Sequence, residues 1–168
     1  LSSPHDPFTD LRFLRALESS GSVGPEAGWS PCHILLFEDD TLITAMPLYA
    51  KDNSYGEYIF DWSWANSSHR AGIPYYPKLV SAIPFTPATG CRILHEGTSL
   101  DSDVLQALRA GWMRIAQDMK IMSMHVLFAT EEQRRLLRDE WEFMERLTYQ
   151  FHWTNQGWKS FEEFLQSL

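Results

Sequence analysis

The 168-residue chain has an ordinary globular composition with an acidic balance of charge. Hydrophobic residues make up 44% and charged residues 21%, so one domain with a sizeable core is expected. The formal net charge is −8 with only 14 lysines and arginines, and no basic run could neutralise phosphates. The composition therefore argues against DNA or RNA as the sole partner and favours a soluble protein.

The two cysteines and the lack of targeting patterns predict a reducing, cytoplasmic environment. Cys32 and Cys91 are far apart and form no CxxC pair, so neither a disulfide framework nor a metal site is indicated. No apolar run reaches the ~18 residues of a membrane span. Residues 1–10 lack the basic and apolar regions of a signal peptide. We expect no metal and no membrane span.

Helical spacing of apolar residues, bounded by capping residues, predicts five helices. Asp6 with Pro7 opens the first, and Asp61 caps the second. The pattern Thr98-Ser99-Leu100-Asp101 is a capping box for the longest helix. The apolar stripe of that helix comprises Leu105, Leu108, Trp112, Ile115 and Met119. The predicted helices span 7–20, 62–71, 98–119, 130–138 and 160–168.

Short apolar or alternating runs predict six strands. A tight turn at 39–40 joins the first two as a hairpin. In the last run one face is apolar throughout, which is typical of a strand. That face comprises Leu147, Tyr149, Phe151 and Trp153. The predicted strands span 32–38, 41–49, 78–85, 91–95, 123–129 and 146–153. Strands that alternate with helices predict a mixed sheet with helices on its faces, an α/β (α+β) fold.

The end of the chain predicts an incomplete second unit. Ser160 and Glu163 form a capping box for a helix whose apolar stripe stops after about two turns, which is marginal without a partner. The chain also begins without methionine. We therefore predict a truncated protein, with one domain over 1–158 and the start of a second over 159–168.

Three unusual stretches stand out, because the common catalytic motifs (Walker loop, GxGxxG, G-x-S-x-G and HExxH) do not occur. They are 54–61 (SYGEYIFD), 75–78 (YYPK) continuing into 84–90 (PFTPATG), and 150–158 (QFHWTNQGW). Prolines within strands imply edges or splayed ends, where substrates commonly lie in α/β folds. The alternative is that these stretches are rigid loops.

These stretches resemble the FemAB-like predicted N-acyltransferases of bacteria, which are placed in the Gcn5-related N-acetyltransferase (GNAT) superfamily. The resemblance rests on S-Y-G-E-Y-I-F-D, on Y-Y-P-K-L with P-F-T-P-x-T-G, and on Q-F-H-W-x-N-x-G, and it covers the chain in order. Family members have two GNAT-like halves and a basic segment after the point where this chain stops. The resemblance implies a GNAT-like, mostly antiparallel central sheet and a missing C-terminal half.

The resemblance further implies acyl transfer from acyl-CoA or from aminoacyl-tRNA to an amine, such as that of a cell-wall precursor. A GNAT site binds pyrophosphate with backbone N–H groups of a glycine-rich turn at a helix N-terminus. Here residues 86–92 contain Pro87 and only Gly90, and a strand is predicted to follow. This departure favours the missing half as the one that binds the donor.

The candidate site residues follow from this chemistry, which needs a base for the amine and an acid for the leaving group. Glu57, Asp61 and His152 are the candidate bases, and Tyr75 or Tyr76 could protonate a leaving thiolate. The candidate substrate-binding residues are Tyr55, Tyr75, Lys78, Phe85, Thr86, Gly90, Arg92, Trp153 and Asn155. Structural roles, such as capping of turns by Glu57 and Asp61, are the alternative.

A second hypothesis remains open, in which the chain is a non-catalytic, GNAT-like module that recognises a cell-wall precursor or supports the other half. It predicts an exposed apolar surface where that half would pack. Such a surface could also make the chain self-associate.

Overall fold

Five α-helices and seven strands lie within residues 6–97 and 100–168, the part of the chain that this computed structural model describes. The helices there are α1 Leu11–Ser19, α2 Trp62–Arg70, α3 Ser102–Asp118, α4 Glu131–Trp141 and α5 Phe161–Leu165. The strands are β1 Ser30–Pro31, β2 Ile34–Glu38, β3 Thr41–Met46, β4 Tyr49–Lys51, β5 Lys78–Ser81, β6 Leu94–His95 and β7 Ser123–Val126. The mixed, mostly antiparallel α+β class is confirmed.

The strands divide between two sheets. The larger has the order β1-β4-β5-β7 and the smaller the order β2-β3-β6. All pairs are antiparallel except β5 with β7. The predicted hairpin partner 41–49 is divided, since β3 pairs with β2 while β4 joins the other sheet. Pro47 lies at the break, and because proline has no N–H it cannot continue a strand ladder.

Two apolar clusters cover the two faces of the larger sheet. On one face Leu79 packs in a core that α3 and α4 share with β2 and β3. On the other face Val80 packs with Trp29 and Tyr49. Side chains of successive strand residues point to opposite faces, so this alternation follows from the sequence. Lys78 has the same parity as Val80, and it therefore lies on the second face.

Helix α3 buries most of its predicted stripe. Leu105, Leu108 and Trp112 are buried, but Ala116 continues the stripe and Met119 is 44% exposed. Met119 is the C-cap, where the helix has ended. Asp101 caps α3 by accepting from the N–H of Val104, while Thr98 and Ser99 of the predicted capping box lie outside the described residues.

Two helix boundaries differ from the prediction. Asp6 caps a short 3-10 helix, Pro7–Thr9, and a second carboxylate, Asp10, caps α1. Because each carboxylate satisfies backbone N–H groups of its own first turn, one predicted helix becomes two. Helix α4 continues past the predicted end to Trp141 and stops at Glu142, which has a left-handed conformation with φ 59°.

The predicted strand over 146–153 is wrong, since the structure assigns no strand there. Its side chains are exposed, Tyr149 by 98% and Phe151 by 100%. Strand formation needs a neighbour for the ladder of hydrogen bonds, and this segment has none among the described residues. It is attached instead through Gln150, which donates to the carbonyl of Pro87.

The predicted helix at the end of the chain is present as α5. The Ser160 hydroxyl accepts from the N–H of Glu163 at 3.2 Å, as in a capping box. The Glu163 carboxylate accepts from Lys159 rather than from the cap residue. Among the described residues, no helix has the length and apolar character needed to cross a membrane.

Candidate functional site

Two lysines lie directly opposite each other on neighbouring strands of the larger sheet. Lys51 of β4 pairs with Lys78 of β5, and both side chains are fully buried. Like charges at directly opposed positions destabilise a sheet, and a buried charge without a partner costs several kcal/mol. The fold therefore has to bring anions to this face.

The anions come from the loop between β4 and α2. Lys78 Nζ donates to Glu57 Oε2 at 2.8 Å and to Asp61 Oδ2 at 2.6 Å. Lys51 Nζ lies 3.9 Å from Glu57 Oε1. The carboxylates of Glu57 and Asp61 are as buried as the lysines. We call Lys51, Glu57, Asp61 and Lys78 the ion cluster, which has two charges of each sign.

Lys51 has further partners that hold it in place. Its ammonium donates to the carbonyls of Gly28 and Tyr55 at 3.2 and 3.0 Å. It also lies 3.6 Å from the ring centroid of Trp29, a cation–π contact that is strengthened by burial. Tyr55 itself is 75% exposed, so it contributes to the cluster through its backbone.

Gly56 allows the loop to close over the cluster. Its φ of +76° is left-handed, and an added Cβ would lie 2.5 Å from the ring of Phe85. Tyr58 and Phe85 also adopt left-handed φ angles, which are rare for bulky residues. Such conformations persist where the surrounding structure determines them and often occur at functional sites.

Three hydroxyl groups surround the cluster. Lys78 Nζ donates to Ser54 Oγ, and Ser54 Oγ lies 2.7 Å from the Tyr76 hydroxyl. The Tyr75 hydroxyl donates to Asp61 Oδ2 at 2.6 Å. Asp61 occupies the N-cap position of α2 as predicted, but its side chain makes no capping hydrogen bond. Its carboxylate binds Lys78 and Tyr75 instead.

Burial and hydrogen bonding shift the pKa values of the cluster in different directions. Burial raises the pKa of Glu57, although both lysines oppose the shift. Burial alone would also raise the pKa of Asp61. The hydrogen bonds of Asp61, of which that from Lys78 has the largest effect, outweigh burial, and its pKa is lowered. Burial lowers the pKa of Lys51 to about 8 and raises that of Tyr75. Of the two carboxylates, Asp61 is thus the one that stays ionised more firmly.

An open groove of about 670 Å³ runs along β7 beside the cluster. We call it the β7 groove. Its walls are β7 and the following residues to Ala129, the segment 142–148, and aromatic side chains that include Phe60 and Trp64. Tyr75 lines this groove while its hydroxyl is bonded to buried Asp61. Tyr75 therefore connects the ion cluster with the open surface.

His125 stands beside Tyr75 in the same groove. The two ring centroids are 5.7 Å apart, and His125 Nε2 lies 2.6 Å from Ser123 Oγ. Burial lowers the pKa of His125 to about 4, and the positive charges of Lys78 and Arg146 reinforce this. The imidazole is therefore neutral at physiological pH.

His125 is expected to make stability depend on pH. Its pKa falls from an ordinary 6.5 to about 4 on folding, so the unfolded chain binds more protons between these values. Stability is then lost as pH falls from 6.5 towards 4, by about 2 kcal/mol after allowance for partial exposure. Urea unfolding at pH 7 and pH 4.5 should show a smaller loss for His125→Gln than for the unchanged chain. Exposed His69, changed to Gln, is the control; an equal loss in all three proteins would contradict this role.

The remaining predicted site residues lie apart from the cluster. Arg92 is buried, and its guanidinium donates to the carbonyls of Ala88, Cys91 and Leu127. The Thr86 hydroxyl donates to the carbonyl of its own loop residue Pro84, and Gly90 forms a bridge to Ala129. Phe85 packs against Trp29 with centroids 5.8 Å apart.

The third motif is separated from the other two. His152, Trp153 and Asn155 are exposed in the segment that follows α4. The hydrogen bonds and ion pairs of the cluster do not involve His152. Asn155 Oδ1 accepts from the N–H groups of Gly157 and Trp158 and so shapes its own turn.

Sequence reasoning missed Lys51, Ser54 and His125. A usable indication was present for His125, which lies inside the predicted strand 123–129, whereas Lys51 is the last residue of β4 and lies just beyond the predicted strand 41–49. Ser54 begins the stretch 54–61 that stood out in the sequence, but it was not among the candidate site residues. The described residues contain no group of three or more His, Cys, Asp or Glu side chains placed to hold a metal ion.

Fold and site together define a mixed α+β protein in which a buried ion cluster supports one wall of an open groove. The FemAB_like family, described as peptidoglycan biosynthesis/recognition, matches residues 1–168, the whole chain. The chain belongs to this family, and the resemblance seen in its sequence motifs is confirmed. No curated protein and no solved structure gave a match.

Proposed function

We propose that the chain binds the amine acceptor in an N-acyltransferase that modifies a peptidoglycan precursor. The proposal rests on the position of Tyr75. Its ring lines the β7 groove, and its hydroxyl donates a hydrogen bond to Asp61. A hydroxyl held in this way keeps its oxygen lone pairs available to accept a hydrogen bond from an amine. Neutral His125 offers a second acceptor beside it.

The ion cluster gives Tyr75 its orientation in this proposal. Asp61 is a positioning residue that acts through Tyr75, and Lys78 keeps Asp61 ionised. In the transfer, the amine nitrogen bonds to the acyl carbon and the carrier leaves with the electrons of its bond to that carbon. The amine proton leaves with the departing carrier, while the Tyr75 oxygen holds the amine by a hydrogen bond and Asp61 stays ionised. Glu57 balances the charge of the lysines and does not meet the substrate.

The acyl donor, acyl-CoA or aminoacyl-tRNA, is proposed to bind outside loop 86–92. The N–H groups of Thr86 and Gly90 donate to the carbonyls of Ile83 and Phe128, and the N–H of Arg92 donates to Gln133. A pyrophosphate needs such N–H groups free. A second GNAT-like half, as the family resemblance implies, would then hold the donor.

Binding of a lysine-containing cell-wall peptide tests the acceptor site. Tyr75→Phe removes the oxygen and should weaken binding about tenfold or more, because hydrogen bonds to charged groups contribute ~1.5–3 kcal/mol. Titration calorimetry with the peptide and with its Nε-acetylated form measures this. The acetylated peptide should bind weakly to both proteins.

Tyr58→Phe is the matched control, since Tyr58 is exposed and lies outside the cluster contacts. It should leave the affinity unchanged. Equal affinities for Tyr75→Phe and the unchanged chain, or equal binding of both peptides, would contradict the acceptor site.

Recognition without catalysis is the second candidate function. The buried lysines and Glu57 are paired with one another and lie behind Tyr75, so few ionisable groups of the cluster reach the groove. In this case the peptide binds, but no acyl group is transferred from acetyl-CoA or aminoacyl-tRNA. The peptide is incubated with the protein and each donor, and its mass is then measured. An increase by the mass of the acyl group indicates catalysis, and an unchanged mass indicates recognition alone.

A further inference from the structure

The wall of the β7 groove formed by α4 and the segment after it carries four charged side chains. They are Arg134, Glu142, Glu145 and Arg146. Arg134 forms an ion pair with Glu145. Glu142 and Arg146 have no ion-pair partner within residues 6–97 and 100–168, and the recorded contact of Arg146 is with an aromatic ring. Arg146 is thus a cation of the groove whose charge the described residues leave unpaired.

Arg146 is held in place by Trp64. Its guanidinium carbon lies 4.7 Å from the centroid of this ring, which belongs to α2 and also lines the groove. A guanidinium stacked on a ring makes this contact through its face, so the five N–H donors around its edge remain available. The contact also limits the conformations of the side chain, which reduces the entropy lost when a ligand binds. Arg146 is therefore ready to bind an anion with a fork of donors.

The charge of Arg146 reaches the two groups of the proposed acceptor site. Burial raises the pKa of Tyr75, and the charge of Arg146 opposes this rise. Burial lowers the pKa of His125 to about 4, and Arg146 reinforces this shift after Lys78. The other three charged residues of the groove contribute to neither shift. Because the effect of a charge decreases with distance, Arg146 is the groove charge closest to the site where the amine is proposed to bind.

A carboxylate is the anion that fits this arrangement best. Its two oxygens match the guanidinium fork in a bidentate pair, which is among the stronger hydrogen-bonded contacts in proteins. A phosphate also matches the fork, but it carries a larger negative charge into a groove that already contains Glu142 and Glu145. One guanidinium and two nearby carboxylates therefore favour a single negative charge on the ligand.

We propose that Arg146 binds a carboxylate of the acceptor, and that this carboxylate and the acceptor amine belong to one amino-acid end group. Arg146 thereby narrows the substrate class of the proposed function, on which this assignment rests. An α-amino acid carries its amine and carboxylate on one carbon, so the amine can meet Tyr75 while the carboxylate meets Arg146. A lysine side chain offers the amine alone. The preferred acceptor is a diamino-dicarboxylic residue, such as 2,6-diaminopimelate, whose side chain ends in such a group.

Titration calorimetry with three peptides that differ only at the end of one side chain tests this specificity. The side chain ends in an amine beside a carboxylate (2,6-diaminopimelate), in the same amine beside a carboxamide, or in an amine alone (lysine). All other carboxyl groups of the peptides are blocked as amides. The carboxylate form should bind about tenfold or more tightly than the other two, because it adds charged hydrogen bonds to Arg146. Equal affinities of the carboxylate and carboxamide forms would overturn the assignment.

Arg146→Gln tests the residue itself. It should weaken binding of the carboxylate peptide about tenfold and leave the affinity for the carboxamide peptide unchanged. Arg135→Gln is the matched control, since it removes the same charge from an exposed position of α4 outside the groove. It should change neither affinity. Equal losses in the two variants would indicate a long-range effect of net charge and would overturn direct binding by Arg146. Thermal unfolding of both variants should match that of the unchanged chain, because both side chains are exposed.

The lysine and carboxamide peptides separate this assignment from the proposed function. Both should bind through Tyr75 and lose affinity in Tyr75→Phe. If they do so and the carboxylate adds nothing, the acceptor site stands and the role of Arg146 is refuted. If none of the three peptides binds, both the acceptor site and the role of Arg146 are refuted.

Discussion

Replacing Lys78 by methionine is expected to lower the free energy of unfolding by about 3–5 kcal/mol, because the change leaves two buried carboxylates without their main partner. Lys78 Nζ donates to Glu57, Asp61 and Ser54, whereas the other groups that bind Asp61, the hydroxyls of Tyr75 and Ser54, carry no positive charge. Urea unfolding monitored by tryptophan fluorescence at pH 7 measures the loss.

A second substitution tests whether charge balance is the cause. Asp61→Asn in the Lys78→Met background leaves one lysine and one carboxylate, Lys51 and Glu57, and should recover part of the lost stability. The double variant should therefore be more stable than the sum of the two single changes predicts. Strict additivity would show that packing, rather than charge pairing, makes Lys78 important.

Trp112→Ala is the other change expected to have a large effect, about 3–5 kcal/mol, through the cavity it leaves in the core. Trp112 is 1% exposed, and its ring packs edge-on against Trp141 and Phe143 with centroids 5.7 Å away in both cases. The loss should appear as a lower urea midpoint with an unchanged slope.

Met113→Ala, the neighbouring position on the exposed face of α3, is the control. Its effect should stay within about 0.5 kcal/mol. Trp112→Ala should affect stability without affecting peptide binding at the acceptor site, because Trp112 lies on the opposite face of the sheet from Lys78. A variant that still folds should bind the peptide with unchanged affinity, and selective loss of binding would contradict this separation.

Local rules predicted much of the secondary structure. The Thr130 cap of α4 and the Ser160 cap of α5 each bind the N–H three residues on, as their sequence patterns indicated. The hairpin turn at 39–40 joins β2 and β3. The predicted start of the first helix was wrong, because two capping residues lie close together. Asp10 caps α1 and so begins a new helix within the range predicted for the first one.

The candidate site was predicted in part. The motifs SYGEYIFD and YYPK supplied Glu57, Asp61, Tyr75, Tyr76 and Lys78, which the structure brings together. The third motif lies elsewhere, so His152 does not join them. Proximity of motifs in three dimensions depends on how strands pair, and no strand of the described residues brings the segment 150–158 to the cluster.

By itself the sequence determined the family, the α+β class, the helix caps and the buried stripe of α3, because capping and helical periodicity act between residues a few positions apart. The tertiary structure alone decided that Lys51 and Lys78 face each other and that Glu57 and Asp61, 21 and 17 positions before Lys78, neutralise them. It also decided that the backbone N–H of Arg92 donates to the side chain of Gln133, 41 positions away. Such contacts depend on strand register and burial, which no local pattern encodes.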